Sequence, residues 1–544
     1  MKKLSTILSI LSKPWVLVGC AVLAGSVLRL WQLGSLPVIL NRDEAALAYN
    51  AWLLSKTGLD EWQRSWPLAL QSFGDFKLVG YSWLIIVVSW FFGFSDFAVR
   101  LPAALAGTLL IVGVYSLSSY FVPRLQAAVT ALLVAVTPVF IFYSRMAWEA
   151  EVALLYMCFS LSLFLHGHGF HKARWLWLTD LVAVLLYALA VVTYNTPLLL
   201  LPFVVLTVIT VRGVKQWQKW WFPVVGLGLI AVFLGSQLLG VATQKKAVTL
   251  FGDETLFIEY GAYRQQFSGV LVPLLGNQYL FYSRHIVRNV VHTFSPDFLV
   301  WRGGTHPWHQ LPTYGHLHLT TYVLGLLGIV ITFKRIIEKV KTKHLHSLRE
   351  SSLLLMLWLM VALAPSVITV DAPHATRSLL FFVIFLMMAA QGAAALYTFL
   401  TLRVQRYLKH YSKILIGGLF LVVLALETTH YLYLYFNRYP AQQAAFHPGL
   451  PDLIVQTELE YPTQPVAVID KDGYDYILFA WYLKMPADIF FETIIHQDPN
   501  SIGFRYGEKV GRYHFIVNSE DHLPTEQVGI EWDNEHQQWQ LRKW

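Results

Sequence analysis

Arg42, Asp43 and Glu44 stand side by side just after the first apolar stretch of a chain in which only 14% of residues are charged. Lys77, Arg145, Glu149, Asp371, His374 and Arg377 lie at the margins of other apolar runs. Carboxylates accept protons and pair with cations, while Lys, Arg and protonated His donate hydrogen bonds to anions. A set holding both kinds can run acid–base chemistry or grip a charged ligand, provided that the chain delivers its members to one side of a membrane. Charges at membrane depth are costly and are usually retained for a site. The bland alternative is that acids at a helix exit merely sit in water, and what decides is where the surrounding elements place each charge.

The chain has 544 residues, 56% of them hydrophobic, with a mean hydropathy of +0.50. A soluble chain would be nearer a quarter charged, so this composition reads as a polytopic membrane protein. Repeated apolar runs of roughly 17 to 24 residues are long enough to cross the hydrocarbon layer as helices. The net charge of +8 fits Lys and Arg gathered in cytoplasmic loops, and no basic block looks built for nucleic acid. Cys20 and Cys158 both fall inside apolar runs, which excludes a disulfide framework and a cysteine metal site. "LVGC" ending at Cys20 resembles a lipoprotein cleavage signal, but the run continues to Leu30, interrupted only by Arg29, and is read as an uncleaved first span.

Basic loops orient the spans. Lys2, Lys3 and Lys13 put the start inside, so a span over 14–33 delivers Asn41 outside. The most basic loop, with Lys334, Arg335, Lys339, Lys341, Lys343 and Arg349, is inside, as is the one with Arg403, Arg406, Lys409 and Lys413. Spans are expected at 97–121, 126–143, one following Glu151, then 175–192, 197–211, 221–240, 314–333, 351–369, 378–400 and 414–436. Only an even number of crossings fits between Asn41 and Arg145, both outside. The run at 76–92, "FKLVGYSWLIIVVSWFF", holds Lys77, Gly80, Tyr81, Trp83 and Trp90 and is therefore read as re-entrant or interfacial. The fold class expected is an all-α polytopic membrane protein of about eleven transmembrane helices plus interfacial helices, with a small C-terminal extracytoplasmic α/β domain. Asp43, Glu44, Lys77, Arg145, Glu149, Tyr194, Asp371, His374 and Arg377 then all fall at the outer surface, which favours an active site over scattered solvated ends.

The elements that must position these residues can be read locally. Leu47, Ala48, Ala51 and Leu54 make an apolar stripe at helical spacing, with Asn41 as N-cap and Gly58 as the stop, so a helix lying on the membrane is expected with Asp43 at its start. The membrane domain is expected over 1–436, with external loops at 34–97 and 241–314, and the outer domain over 437–544. In that domain "PVAVID" and "GRYHFIVN" read as strands, and "YILFAWYLK" is ambiguous between helix and strand. No phosphate-binding glycine loop, zinc-spaced cysteine pair or HExxH helix occurs in the sequence. An enzyme on the outer surface cannot draw on cytoplasmic nucleotide sugars, whereas a lipid-phosphate-linked substrate can be bound from the bilayer.

Four stretches carry a resemblance: "RDEAALAYNAWLLSKTGLDEWQRSWPLALQSFGDFKLVGYSWL", "FGFSDFAVRLPAALAGTLLIVGVYSLSSYF", "TPVFIFYSRMAWEAEVALLYMCFSLSLFL" and "DAPHATRSLLFFVIFLMMAAQGAAALY". They resemble bacterial members of the dolichyl-phosphate-mannose protein mannosyltransferase family and, more broadly, the C-type integral-membrane glycosyltransferases, which include the aminoarabinose transferase of lipid A. The resemblance runs over about 28–448, and the tail is similar to the outer domain of a bacterial subgroup. It implies an inverting transfer of a sugar from a polyprenyl-phosphate donor to an acceptor protein, lipid or glycan outside the bacterial inner membrane. It also implies Asp43 as general base with Glu44 its neighbour, and Lys77, Arg145, His374, Arg377, Tyr194 and Glu149 as donor phosphate or sugar contacts. Relatives carry a Pro-rich "PPLYYW"-like run after the lysine; here "KLVGYSW" departs from that.

Each candidate has a structural alternative. Arg145 and Arg377 also read as snorkelling anchors, Lys77 as an interfacial anchor, His374 as a satisfied turn residue and Tyr194 as a packing aromatic. Glu149 and Glu151 also complement a helix dipole, and Asp60, Glu61 and Asp75 read as solvated loop residues. "WRGGTHPWHQLPTYGHLHL" offers His306, His309, His316 and His318, but the spacing matches no strong ligand pattern, so no cofactor is expected and a divalent metal is the lesser alternative. Two competing functions are a lipid-linked glycan polymerase or ligase, to which Arg264, Arg284, Arg288 and Arg302 in the long external loop would suit, and a transporter or flippase. The latter places charges near the midplane in repeated halves, and no repeat is evident.

Overall fold

The structure, a computed structural model, describes residues 13–167, 173–237, 249–304, 307–342, 351–408, 411–442, 448–500, 504–523 and 525–543. The chain runs through α1 (Pro14–Leu30), α2 (Arg42–Thr57), a hairpin of β1 (Ala69–Ser72) and β2 (Asp75–Leu78), α3 (Gly80–Phe92) and α4 (Asp96–Phe121). Next come α5 (Arg124–Val136), α6 (Pro138–Ser144), α7 (Glu149–Gly167), α8 (Ala173–Thr193), α9 (Thr196–Arg212) and α10 (Trp221–Gln237). The long loop holds α11 (Glu254–Gln265), α12 (Leu271–Leu275) and α13 (Gln278–Thr293), followed by α14 (Leu319–Lys341), α15 (Ser351–Val367), α16 (Leu379–Leu408) and α17 (Ser412–Tyr433). The tail comprises α18 (Leu450–Glu460), β3 (Val466–Ile469), α19 (Asp475–Tyr482), α20 (Ala487–Thr493), β4 (Ile495–His496), β5 (Gly507–Val510), β6 (Tyr513–Ile516), β7 (Val528–Asp533) and β8 (Gln538–Lys543).

Among the described residues six helices are long and apolar enough to cross a membrane, and α5 with α6, bent by 56°, makes a seventh. Helices α1, α9, α10 and α15 are apolar and 17 residues long, the short end of what crosses. Together they stand where the eleven crossings are expected. The chain is an integral membrane protein. Helix α3 has only 13 residues, about 20 Å, too short to cross. It begins at Gly80, so the run at 76–92 is not one helix: Lys77 lies in β2.

Contacts divide the chain into two compact units. The first holds the chain up to Arg29, Leu105–Ser144 and Ala150–Leu434. Its closest seam joins α14 to α16: a Cβ on Gly328 would run into the Met388 carbonyl, and one on Gly392 into that of Leu324. Small residues at such positions let helix backbones meet where no hydrophobic drive separates protein from lipid. The charge that interrupts the first span has a structural role: Arg29 is buried and donates to the carbonyls of Val134 (3.1 Å) and Ala135 (3.0 Å) at the end of α5, and to Ser144 Oγ at 3.0 Å. It thereby serves the orphan carbonyls that the bend after α5 exposes.

The second unit holds Leu30–Ala104, Arg145–Glu149 and Tyr435–Trp544. Its sheet has strand order β4-β5-β6-β3-β7-β8, with β3 parallel to both β6 and β7 and the outer pairs antiparallel. The ambiguous "YILFAWYLK" is helix α19, which packs on α2. Helix α2 is capped as its sequence implies, with Asn41 Oδ1 accepting from the amides of Asp43 (2.8 Å) and Glu44 (2.9 Å), and Gly58 in the left-handed region at φ 73°. It differs from the expected surface helix: Ala45 to Ala51 are all buried, because α3 and α19 cover the faces beyond the apolar stripe.

Candidate active site

In the second unit the two acids of the opening motif have different surroundings. Glu44 is 1% exposed and Arg100 is fully buried beside it. Its carboxylate accepts from Arg100 Nε at 3.0 Å, the Ala147 amide at 2.8 Å and, closing a capping box, the Asn41 amide at 3.1 Å. Every side of that carboxylate is engaged in holding three chain segments together. Asp43, one residue earlier, is 28% exposed and its Oδ1 lies 2.8 Å from Lys77 Nζ. Asp43 also sits in the first turn of α2, where the helix dipole favours a negative charge.

Lys77 reaches Asp43 because it is in a hairpin rather than a helix. The turn Phe73-Gly74 has positive φ at both positions, 39° and 81°, as a type I′ turn requires. Leu70 pairs with Lys77 and Ser72 with Asp75. Asp75 lies 3.6 Å from the ammonium. Burial alone would lower the Lys77 pKa; the nearby carboxylates of Asp43, Asp75 and Glu149 outweigh it and hold the group above its ordinary value.

A non-glycine residue at φ 39° is strained, and Phe73 is held there by the tail. Its amide donates to Tyr476 Oη at 3.1 Å and its carbonyl accepts from the Arg505 amide at 3.1 Å. Its ring meets Tyr474 and Phe504 edge-on, and Arg42, beside Asp43, stacks over Tyr474 at 4.0 Å. Sequence reasoning missed this grip entirely. It also placed Asp60 and Glu61 in solvent, whereas they are 0% and 2% exposed. Asp60 accepts both Arg64 nitrogens (2.9 and 2.6 Å), and Glu61 accepts Ser72 Oγ at 2.6 Å and Tyr476 Oη at 2.6 Å. These acids are paired, which is why burial is tolerated. Arg145 is fully buried too, over the rings of Tyr435 and Phe436 at 5.1 Å each and 3.3 Å from the Leu36 carbonyl. That geometry does not match a snorkelling anchor.

The first unit gathers a second set. Arg377 Nη1 lies 2.5 Å from Asp371 Oδ1, and His374 Nε2 lies 3.6 Å from Asp371 Oδ2. The His374 ring packs edge-on against His309 at 4.7 Å. His309 Nδ1 in turn shares hydrogen bonds with Tyr143 Oη (3.0 Å) and Thr376 Oγ1 (2.6 Å), which bond each other at 2.8 Å. Tyr194 and Arg377 line one small cavity of about 20 Å³, room for about one water. Tyr143 is an addition that no local pattern announces, and His309, weighed in the sequence as a metal ligand, joins it here through hydrogen bonds.

The histidines weighed as metal ligands are otherwise engaged. His316 packs on Phe298 and Phe382, and burial lowers its pKa to about 3. His318 shares bonds with Tyr314 Oη (2.9 Å) and the Val136 carbonyl (3.0 Å), and burial lowers its pKa to about 4 despite the latter contact. His306 lies outside the described residues. Among the described residues no group of three or more His, Cys, Asp or Glu could hold a metal ion.

Comparison with known proteins bears on the fold. The sequence profile of the family described as dolichyl-phosphate-mannose-protein mannosyltransferase matches residues 79–237. The archaeal oligosaccharyltransferase AglB from Archaeoglobus fulgidus, solved with an inhibitory peptide and a dolichol-phosphate, aligns at TM-score 0.52 and 14% identity, over 86% of this chain and 63% of its own. Its apo form aligns at 0.50 and 12%, over 86% and 64%. ArnT from Cupriavidus metallidurans bound to undecaprenyl phosphate aligns at 0.48 and 14%, over 87% and 84%. The chain thus spans less than two thirds of the length of the archaeal enzyme. No curated protein matches it in sequence. The chain shares the fold of the archaeal oligosaccharyltransferase, and its segment 79–237 carries the pattern of the mannosyltransferase family, as the resemblance in the sequence implies.

Proposed function

We propose that this protein is an inverting glycosyltransferase that moves a sugar from a polyprenyl-phosphate donor to a hydroxyl or amine acceptor outside the bacterial inner membrane. The observation that carries the reading is the division of labour at the start of α2: Glu44 is buried and fully bonded, while Asp43 is accessible and touches the buried ammonium of Lys77. Asp43 takes the acceptor's proton as the acceptor oxygen or nitrogen attacks the anomeric carbon. The bond from that carbon to the phosphate oxygen breaks, and its electron pair leaves with polyprenyl phosphate. Lys77, already held among carboxylates, exchanges one of them for the leaving phosphate and stabilises its growing charge.

Supporting this reading are the family pattern over 79–237 and the likeness to a fold solved with a dolichol-phosphate. Arg377, with His374 beside it, is proposed to bind phosphate because it too is a cation balanced by a replaceable carboxylate, Asp371. Arg145 and Glu149 are proposed as donor contacts, and Tyr194 as a sugar contact beside Arg377, with which it lines one small cavity. No cofactor is proposed. Purified protein is to be given a panel of polyprenyl-phosphate sugars, with release of polyprenyl phosphate measured for wild type and Asp43→Asn. Release by wild type and its loss in the variant supports the proposal; solute flux in proteoliposomes without any release replaces it with a transporter.

A further inference from the structure

The long loop offers a groove that the proposed chemistry does not use. It lies along α13 and is lined by Tyr263 of α11 together with Phe281, Arg284, His285, Val287 and Arg288, with a volume of about 640 Å³. Arg284 and Arg288 are one helical turn apart, so their guanidinium groups rise from neighbouring positions on one face. Asn289 points elsewhere: its amide donates to the carbonyls of Val367 (2.9 Å) and Thr369 (3.2 Å) and fixes α13 to the end of α15.

Two features of the groove point to its occupant. First, its cations are not balanced: Arg284 stacks on Tyr263 at 5.5 Å, and among the described residues no carboxylate forms an ion pair with Arg284 or Arg288. The acid acting on His285 is Glu259, against both arginines. Second, the helices of this loop carry large exposed apolar side chains. Val287 and Val291 on α13 are each 61% exposed, Phe257 and Ile258 on α11 are 69% and 72% exposed, and Leu274 of α12 is 62% exposed. In water such a surface would be an aggregation liability. At a bilayer surface it is stable, with the apolar groups among acyl chains and the arginines at phosphate level.

We propose that this groove binds the headgroup phosphate of an anionic phospholipid of the surrounding bilayer, with Arg284 and Arg288 on the phosphate and Val287 and Phe281 along the chain. Charge complementarity selects an anion, and the exposed apolar side chains of the same helices select one carrying acyl chains over free phosphate. The site shares no residue with the catalytic reading and does not depend on it.

The test is native mass spectrometry of the full-length protein released from detergent, titrated separately with phosphatidylglycerol, phosphatidylcholine, undecaprenyl phosphate and inorganic phosphate. Phosphatidylglycerol should bind more tightly than phosphatidylcholine, and Arg284→Gln/Arg288→Gln should weaken it about 30-fold, the effect of two cations near an anionic surface. Arg284→Lys/Arg288→Lys should keep most of the preference, which separates loss of charge from loss of fold. Asp43→Asn should bind the lipid as wild type does, whether or not it is active. Equal binding of the two phospholipids, full binding by the double Gln variant, preferential binding of undecaprenyl phosphate, or inorganic phosphate binding as tightly as the lipid would each overturn the proposal.

Discussion

The phenol of Tyr476 donates to the buried carboxylate of Glu61 at 2.6 Å across 415 positions of chain, and the same oxygen accepts the amide of Phe73 at 3.1 Å. One hydroxyl therefore joins the tail, the buried acid of the loop and the tip of the hairpin that carries Lys77. Burial, followed by the charge of Glu61, holds this phenol well above its ordinary pKa, so it remains a donor.

Tyr476→Phe removes that donor while keeping the ring. It leaves Glu61 one bond poorer and the Phe73 amide unpaired, a loss of about 1–3 kcal/mol for such buried groups. The variant should unfold at lower denaturant concentration, and its KM for the lipid-linked donor should rise because the hairpin no longer holds Lys77 in place. Unchanged stability together with unchanged KM would contradict the grip described here.

Glu44→Gln and Asp43→Asn should separate cleanly although the residues are adjacent. The first leaves Arg100 buried without its counter-charge, a loss of about 3–5 kcal/mol, visible as lower yield of folded protein and a lower melting temperature. The second touches a partly exposed group whose partner Lys77 still has Asp75. Its stability should change far less, while turnover falls about 10²–10⁴-fold, the range a positioned base supplies.

Lys77→Gln should remove a stabilising charge whose pH window can be stated. The folded-state pKa lies above the ordinary 10.5, so the ion pair's contribution is complete below 10.5 and is lost as pH rises through the higher folded value. Wild type should thus lose its advantage over Lys77→Gln only in strong alkali. An advantage that vanishes near pH 8 in denaturant titrations would mean that Lys77 is not held among carboxylates.

His316 and His318 predict sensitivity to acid. Burial lowers them from 6.5 to about 3 and about 4, so between those values and 6.5 the unfolded chain binds protons that the folded chain does not, and stability falls as pH falls. His316→Leu, which keeps the packing on Phe298 and Phe382, should flatten the decline in melting temperature between pH 6.5 and pH 4. A variant as acid-sensitive as wild type would assign the decline to other groups.

What the sequence made legible was local or periodic. The apolar runs that became helices, the Asn41 and Gly58 caps of α2 and the strands in "PVAVID" and "GRYHFIVN" each depend on neighbours within a few positions. Pairings between distant segments were not readable. Nothing near Glu44 announces Arg100, 56 residues on, nor does anything near Tyr143 announce His309, 166 residues on. Lys77 was merged into an apolar run because "FKLVGYSW" carries no hairpin signal of its own beyond Phe73-Gly74, and its strand pairing depends on contacts with the tail. Glu61 reads as solvated for the same reason: the groups that make its burial tolerable include Tyr476, over 400 positions away.

The bond from Phe73 to Tyr476 spans 403 positions, and this has a bearing on biogenesis. At ~5–20 residues/s a ribosome takes roughly 20–80 s to travel that far. During that interval the hairpin that carries Lys77 has been made while the tail that fastens it has not. A stalled or clipped polypeptide would therefore carry that hairpin unfastened, with Phe73 released from its left-handed conformation.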